Sequence, residues 1–330
     1  MSNTETQSSA ETPAIIKHDH RIASTTAGYE ILLRNKVATD FDGSTPQNTV
    51  LFVHGATYGS TYTFDYAVDG YSWMDWMALS GFNVWCIDLL GYGGSDRPRE
   101  MEDQPEKNAP LVDTRHAVAE IEGAISFILS ESELDQLSLI GYSWGTAICG
   151  AYAGQSPHKV SRLVLSGALW VEQGNAPRGI SVEIGAYRTV QAKSAAQRWG
   201  IGLSQDEIDL IVAPEFVKQW CEDVVQCDPK ANDTDPPALR APSGVLKDYT
   251  HCSTSGEPWY DPGLIKAPTQ IVVAEFDQET TPEQATAVFS KLSRATEKRM
   301  TVVGGGTHTL LLERNRHALF DVVASFLLSA

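Results

Sequence analysis

The stretch that decides the fold is Gly141-Tyr142-Ser143-Trp144-Gly145, which lies between a short apolar run and a run of small residues. The apolar run, Leu137 to Ile140, predicts a buried strand, and residues 146–153 predict a helix. At a turn from a strand into a helix, a serine between two glycines presents its hydroxyl at the carboxyl edge of the sheet. The stretch therefore predicts that Ser143 is a nucleophile. On its own the pattern is weak, because an ordinary glycine-rich turn has the same sequence.

The rest of the chain alternates between apolar runs and amphipathic segments. The apolar runs are rich in β-branched and aromatic residues, and they lie at residues 49–53, 82–87, 137–140, 160–166, 269–274 and 299–303. Apolar strands that alternate with helices indicate a sheet that is buried on both faces. The sequence therefore predicts an α/β fold with a mostly parallel central sheet flanked by helices.

This alternation stops near residue 170 and resumes near residue 263. In between, the sequence predicts amphipathic helices and a Pro/Asp/Asn-rich stretch, without apolar strand runs of comparable strength; these segments are 184–197, 204–212, 215–225 and 228–242. We predict an α/β core of residues 21–169 and 263–330, interrupted by a helical lid of residues 170–262. The polar residues 1–20 are predicted to form a disordered or extended tail.

Composition restricts the class of partner. The 330 residues include 42 acidic and 25 basic side chains, for a net charge of −17. Such a surface repels nucleic acids and anionic membranes, and no run reaches the ~18 apolar residues of a membrane span. The polar start lacks the features of a secretory signal, so a cytoplasmic protein with a small-molecule substrate is expected. A homodimer is compatible with the sequence.

The five cysteines show no Cys-x-x-Cys spacing, so packing in the core is preferred to a metal site or a disulfide, also for Cys221 and Cys227. The chain has no His-Glu-x-x-His or comparable metal-binding pattern. Residues 304–306 are a glycine run, but they lack the following helix and lysine of a phosphate-binding loop. No metal or cofactor is therefore expected.

Four motifs resemble those of the α/β-hydrolase fold family, and the resemblance covers nearly the whole chain after the tail. The motifs are His54-Gly55 after the first apolar strand, Gly91 to Pro98 after the next, Gly141 to Gly145, and the pair Asp277 and His308 on later loops. The order Ser143, Asp277, His308 is the order of the catalytic triad in this family. The resemblance implies a hydrolase fold with the serine, the acid and the base at these three positions.

The residue types fit that chemistry. A serine hydroxyl needs a base to remove its proton, and the His308 imidazole titrates near neutrality. Asp277 follows the strand 269–274 and can orient the imidazole, although an exposed loop histidine is the alternative for His308. Glu275 and Glu279 are competing acids, ranked lower because one lies in the strand end and the other beyond the turn.

Two backbone N–H groups are expected to form the oxyanion hole. Trp144 follows the nucleophile at the start of a helix, where N–H groups are free to bind an anion. Ala56 follows His54-Gly55, where the family places the second donor. His54 itself is interpreted as a structural residue that bonds the loop.

Hydrolysis of a carboxylic ester through an acyl-enzyme is the default expectation. Ser143 disfavours the related haloalkane dehalogenases and epoxide hydrolases, which use aspartate as the nucleophile. Residues 54–58 read His-Gly-Ala-Thr-Tyr and lack the His-Gly-Gly-Pro-Gly loop of proline iminopeptidases and the Gly-Pro-Gly-Ala loop of carbon–carbon bond hydrolases. Carbon–carbon, amide or lactone cleavage on the same triad stays an alternative, as does a non-catalytic receptor or scaffold.

The lid should select the substrate. Thr57, Tyr58, Trp199 and Trp220 are predicted substrate contacts. The lid carries further aromatic and arginine side chains, namely Tyr187, Trp259, Tyr260, Arg178, Arg188, Arg198 and Arg240. Taken one by one, the aromatics are predicted to form the lid core and the arginines to lie on solvated helix faces. Together they still allow an aromatic or carboxylate-bearing monoester as the substrate.

Overall fold

The computed structural model describes residues 14–172, 174 and 184–329. Its strands are β1 Ile15–Ala23, β2 Glu30–Ala38, β3 Thr49–Val53, β4 Asn83–Asp88, β5 Leu137–Tyr142, β6 Val160–Ser166, β7 Tyr187–Gln191, β8 Ala238–Pro242, β9 Thr269–Ala274 and β10 Lys298–Val303. Eight of them form one sheet in the order β1-β2-β4-β3-β5-β6-β9-β10. In this sheet β1 and β2 pair antiparallel, β2 pairs antiparallel with β4, and the remaining pairs are parallel.

The helices of four or more residues are α1 Ser60–Thr63, α2 Trp73–Leu79, α3 Thr114–Ser132, α4 Trp144–Gln155, α5 Ala192–Trp199, α6 Gln205–Ile211, α7 Pro214–Val225, α8 Gly244–Ser255, α9 Pro282–Lys291 and α10 Arg316–Leu327. Side-chain caps fix where several of them begin. The Asp113 carboxylate accepts from the His116 N–H at the start of α3, and Ser72 forms a capping box with Asp75 at the start of α2. None of the helices in the described residues is both long and apolar enough to cross a membrane.

The core lies along the parallel strands. Every residue of β3, β4 and β9 is buried, because helices pack on the sheet. The rings of Trp73 in α2 and Phe320 in α10 stack with centroids 5.0 Å apart. The α/β fold with a mostly parallel central sheet is confirmed, and the apolar runs 49–53, 160–166 and 269–274 form strands at the predicted bounds.

The N-terminal boundary differs from the prediction. Residues 15–20, assigned to the tail from the sequence, lie in β1, which pairs with β2 along its whole length. Most side chains of β1 are exposed, because it is an edge strand, so its polar sequence hides the strand. Residues 1–13 lie outside the described residues.

Between β6 and β9, the residues that the structure describes are mainly helical but also form two strands. Residues 184–197 were predicted as one helix, whereas residues 187–191 form β7, and the Pro-rich stretch ends in β8. The two strands pair antiparallel with each other, apart from the main sheet. A five-residue strand is too short to show a clear period of two, which explains the error. We call residues 184–262 the insert; that it forms a lid stays a prediction.

Candidate active site

The turn between β5 and α4 has the geometry of a strained, tightly packed elbow. Ser143 has φ 55° and ψ −121°, a conformation that residues with a side chain rarely adopt. A Cβ atom on Gly141 would lie 2.4 Å from the Gly145 carbonyl oxygen, and one on Gly145 would lie 2.2 Å from the Val53 carbonyl oxygen. Both flanking positions therefore require glycine.

Three loops bring Ala56, Asp277 and His308 to this turn, because the carboxyl ends of the parallel strands meet at one edge of the sheet. Ala56 follows β3, Asp277 follows β9 and His308 follows β10. A Cβ atom built on Gly55 would lie 3.5 Å from the Ser143 hydroxyl oxygen. The loop of residues 54–58, here called the oxyanion loop, thus passes directly beside Ser143.

Asp277 holds the His308 imidazole. The His308 Nδ1 atom lies 2.9 Å from Asp277 Oδ2, and Asp277 is 1% exposed. The other carboxylate oxygen, Oδ1, accepts from the N–H groups of Glu279 and Thr280 at 2.9 and 2.8 Å, and the Thr280 hydroxyl donates to Oδ2 at 2.7 Å. The carboxylate is therefore fixed from several sides.

Electrostatics favour the charged form of both partners. Burial acts to raise the pKa of Asp277, but the neighbouring imidazole and the donors from Thr280 outweigh it, and the pKa is lowered. Burial acts to lower the pKa of His308, but the charges of Asp277 and Glu279 outweigh it, and the pKa is raised. The imidazole is thus a stronger base than an isolated histidine.

The competing acids have other partners. Glu275 is exposed and accepts from the Gly305 N–H at 2.9 Å. Glu279 forms an ion pair with Arg198. Within the described residues, Asp277 is the acid that hydrogen-bonds the His308 ring.

The backbone groups expected to bind an oxyanion are held in place. Trp144 begins α4, so its N–H belongs to the first turn, which lacks acceptors within the helix. His54 Nε2 accepts from the Leu89 N–H at 3.1 Å, so the other ring nitrogen, Nδ1, carries the proton that it donates to the Gly55 carbonyl at 2.7 Å. Burial lowers the pKa of His54, which keeps it neutral. His54 bonds the loop, as expected from the sequence.

One partly enclosed cavity opens onto these residues. Ser143, His308, Ala56 and Trp144 line it. The insert contributes Ala195, Arg198, Trp199, Trp220, Val245 and Tyr249 to its wall. All four predicted substrate contacts are lining residues, including Thr57 and Tyr58 of the oxyanion loop.

Aromatic rings form much of the cavity wall where the insert meets the oxyanion loop. The Tyr58 and Trp220 rings meet edge-on with centroids 4.9 Å apart, and Trp199 meets Trp220 in the same way at 5.2 Å. The indole N–H groups point away to polar partners, Trp199 to Glu313 at 3.1 Å and Trp220 to the Tyr62 carbonyl at 3.0 Å. Burial raises the pKa of Tyr58 to about 12, so its phenol stays neutral.

The insert arginines fall into different environments. Arg198 lines the cavity and pairs with Glu279, while Arg188 donates to the backbone of the oxyanion loop. Arg240 forms a buried ion pair with Asp228, at 2.7 Å, and is not among the lining residues. Arg178 lies outside the described residues. The predicted solvated faces are therefore wrong for Arg188 and Arg240, which are buried for the greater part.

Sequence reasoning missed Tyr142, which lies beside the imidazole, and Glu313, which bonds the loop that carries His308. The Tyr142 ring stacks on His308 with centroids 5.0 Å apart, and its hydroxyl donates to the His308 carbonyl at 2.8 Å. Glu313 is fully buried, accepts from the Thr307 N–H at 2.9 Å, and burial raises its pKa to about 7. Tyr142 lies next to the nucleophile and could have been identified from that position, whereas no local pattern marks Glu313.

The cysteines are free thiols, and within the residues described no three His, Cys, Asp or Glu side chains converge as a metal site would require. Among the other aromatic residues of the insert, Trp259 and Tyr260 line separate surface pockets instead of the cavity at Ser143.

A family model described as alpha/beta hydrolase fold matches residues 48–315 of the chain. A curated relative, 2-hydroxy-6-oxo-2,4-heptadienoate hydrolase of Pseudomonas putida, is 30% identical over 146 residues, which cover 43% of this chain and 45% of the relative. The chain thus spans under half the length of the curated relatives that it matches.

Solved structures resemble nearly the whole chain. One is the 2-hydroxy-6-oxo-6-phenylhexa-2,4-dienoate hydrolase of a Rhodococcus species, 15% identical with a TM-score of 0.61, covering 96% of this chain and 100% of that chain. Another is a thermophilic esterase from Thermogutta terrifontis, 16% identical with a TM-score of 0.61, covering 94% of this chain and 98% of that chain. At these identities the likeness shows the fold alone.

Proposed function

The chain belongs to the α/β-hydrolase fold family, and we propose that it is a serine hydrolase that cleaves a carboxylic ester through an acyl-enzyme. The observation that carries this proposal is the strained Ser143 elbow, which shares one cavity with a His308 imidazole hydrogen-bonded to buried Asp277. A buried acid–imidazole pair and a strained serine are costly to maintain unless they act together.

The proposed reaction uses each group at a defined atom. Because Nδ1 of His308 is engaged by Asp277, Nε2 is the atom that takes the Ser143 proton. The serine oxygen attacks the ester carbonyl, and the N–H groups of Ala56 and Trp144 bind the resulting oxyanion. His308 then protonates the departing alcohol. Water, deprotonated by the same imidazole, releases the acid and regenerates Ser143.

The cavity favours an aromatic or other apolar ester without a charge. Its wall contains Tyr58, Trp199 and Trp220, which offer apolar ring faces. Within the described residues, Arg198 is the one lysine or arginine that lines the cavity, and its charge is balanced by Glu279. These contacts support the aromatic monoester more strongly than the carboxylate-bearing one.

Carbon–carbon bond hydrolysis is the second candidate, favoured by the name of the Pseudomonas putida relative. The same serine, base and oxyanion donors would serve it. A panel of neutral p-nitrophenyl esters and vinylogous diketones separates the two reactions, because each gives a different chromophore. We expect faster turnover of the esters; preference for the diketones by kcat/KM would transfer the assignment to the second candidate.

Ser143→Ala tests whether this serine is the nucleophile. We expect kcat on p-nitrophenyl butyrate to fall on the order of 10⁴-fold or more, with little change in thermal stability. A fluorophosphonate probe should label the wild type at Ser143, as located by peptide mass spectrometry. Labelling at another serine, or substantial activity in the variant, would contradict the assignment. A receptor would show no turnover of the ester.

A further inference from the structure

Arg188 of β7 reaches from the insert to the oxyanion loop. Its Nη2 atom donates to the Ala56 carbonyl at 2.6 Å and to the Thr57 hydroxyl at 2.8 Å, while Nη1 donates to the Pro242 carbonyl of β8 at 2.7 Å. Each terminal nitrogen of a guanidinium carries two hydrogens, so Nη2 can make both of its bonds at once. The planar fork of Arg188 therefore joins the oxyanion loop to the β7–β8 pair.

Among the described residues, the other side-chain donor to the Ala56 and Pro242 carbonyls is Tyr92, and it cannot replace Arg188. The Tyr92 hydroxyl lies 3.1 Å from the Ala56 carbonyl and 3.3 Å from the Pro242 carbonyl, but a phenol has one hydrogen to donate. Without Arg188, at least one of these two carbonyls would lose its donor in a buried environment, which is costly. The guanidinium thus completes the hydrogen bonding of both segments.

The two peptide groups that flank the Ala56 α-carbon are held independently. His54 donates to the Gly55 carbonyl, which belongs to the same peptide group as the Ala56 N–H. Arg188 holds the next peptide group through the Ala56 carbonyl. Because the planes on both sides set the φ and ψ angles of Ala56, both contacts fix the direction of its N–H.

The Arg188 charge also lacks an acidic partner. Burial lowers the pKa of Arg188, and in the part of the chain that the structure describes no carboxylate pairs with it. An arginine nevertheless stays protonated in proteins. A buried positive charge is therefore maintained behind the loop that is proposed to bind an oxyanion.

We propose that Arg188 is a positioning residue for the oxyanion hole: its guanidinium fork anchors the Ala56 carbonyl and thereby directs the Ala56 N–H toward the reacting carbonyl oxygen. The inference rests on the proposed serine hydrolase function. It makes residue 188 part of the reaction although the side chain is not among those lining the cavity.

The test compares Arg188→Met and Arg188→Lys with a matched control, Arg240→Met. Arg240 is also a buried arginine of the β7–β8 pair, but it binds Asp228 and the Met101 carbonyl instead of the oxyanion loop. For each variant we would measure the melting temperature, kcat and KM on p-nitrophenyl butyrate, and the rate at which a fluorophosphonate labels Ser143. The labelling rate reports on the same N–H groups, because the phosphoryl oxygen occupies the oxyanion hole.

We expect Arg188→Met to lower kcat and the labelling rate by about 10- to 100-fold, with KM changed less than about threefold. Arg188→Lys keeps the charge but loses the fork, so it should recover part of the loss and serves as the test if the methionine variant does not fold. The inference is wrong if KM carries the effect, if kcat is unchanged, or if Arg240→Met reduces kcat as much. A wild type that neither hydrolyses an ester nor is labelled at Ser143 would overturn the proposed function itself.

Discussion

Asp277 shows how a single side chain can serve two sets of donors. Its Oδ1 atom faces the N–H groups of Glu279 and Thr280, and its Oδ2 atom faces the imidazole and a hydroxyl. An amide in this position would keep its oxygen toward the N–H groups and turn its NH₂ group toward His308. The imidazole would then carry its proton on Nε2, the atom needed as the base.

Asp277→Asn should therefore lower kcat by roughly 10³- to 10⁴-fold on p-nitrophenyl butyrate. The folded structure should persist, since the side-chain volume is unchanged. Glu275→Gln and Glu279→Gln are matched controls, and at alkaline pH both should retain kcat within about tenfold. A loss in either control as large as that of Asp277→Asn would move the orienting role to that glutamate.

The pH dependence separates Glu279 from Glu275. Although burial acts to lower the pKa of His308, Asp277 and Glu279 raise it, so kcat/KM should fall on acidification with a midpoint above the usual histidine value of about 6.5. Glu279→Gln removes one of these charges and leaves the Arg198 cation unbalanced. Its acid limb should shift to lower pH.

Glu275→Gln should leave that limb in place. An unshifted pH profile in Glu279→Gln would show that the Glu279 charge does not affect the pKa of His308.

For His308, the pH dependence of folding stability has the opposite sign to that of kcat/KM. Because the folded-state pKa of His308 is raised, its contribution to folding is complete below the unfolded-state pKa and is lost as pH rises through the folded-state pKa. Asp277, with a lowered pKa, contributes above its unfolded-state pKa and loses that contribution as pH falls through the folded-state value.

The elements differ in how well the sequence predicts them. Strands β3, β6 and β9 are short apolar runs on buried positions, so composition alone defines their bounds. Strand β1 lies at the edge of the sheet, and most of its side chains are exposed. Strand β7 is stabilised by pairing with β8, which lies about fifty residues away in the sequence. Periodicity reports burial by neighbours in space, so strands without a buried face are missed.

The residues of the candidate site also differ in how well the sequence predicts them. Ser143, Asp277 and His308 stand in local motifs and were identified from them. Arg188 contacts Ala56, 132 positions away, and Glu313 contacts Trp199, 114 positions away. A short sequence window does not contain both partners of such a distant contact, so the fold is needed to identify these supporting residues.

Trp220→Ala tests whether the insert acts as a lid that selects substrates. Trp220 contacts Tyr58 over the cavity, so removing it should change the ratio of kcat/KM for a bulky and a short ester by ~1–3 kcal/mol of discrimination. Activity on p-nitrophenyl acetate should survive. Trp259→Ala is the control, because Trp259 lines a different pocket and should leave the ratio unchanged. An unchanged ratio in Trp220→Ala would remove the lid from substrate selection.

On the scale of the whole molecule, the net charge of −17 acts against the compact state. Added salt screens this repulsion over distances beyond about 10 Å at 0.1 M. Between low and moderate sodium chloride at pH 8, we expect the melting temperature to rise by roughly 2–4 °C, equivalent to about 1 kcal/mol for a domain of this size.

The same salt series near pH 5 provides the control, since the isoelectric point computed from the sequence is about 4.8. There the average repulsion is small, and the rise should largely disappear. A melting temperature that falls with salt at pH 8 would mean that the ion pairs seen in the structure outweigh the excess of acidic charge.

The attachment of the insert has a consequence for protein engineering. The Ala186 carbonyl accepts hydrogen bonds from the Leu111 and Ser243 N–H groups. Two residues further along, Arg188 donates to the Ala56 carbonyl of the oxyanion loop. Replacing the insert with one from another protein would therefore change the cavity wall and also remove these hydrogen bonds. A chimera designed to change substrate specificity should keep Arg188 and Pro242; otherwise we expect it to bind the new substrate but to turn it over slowly.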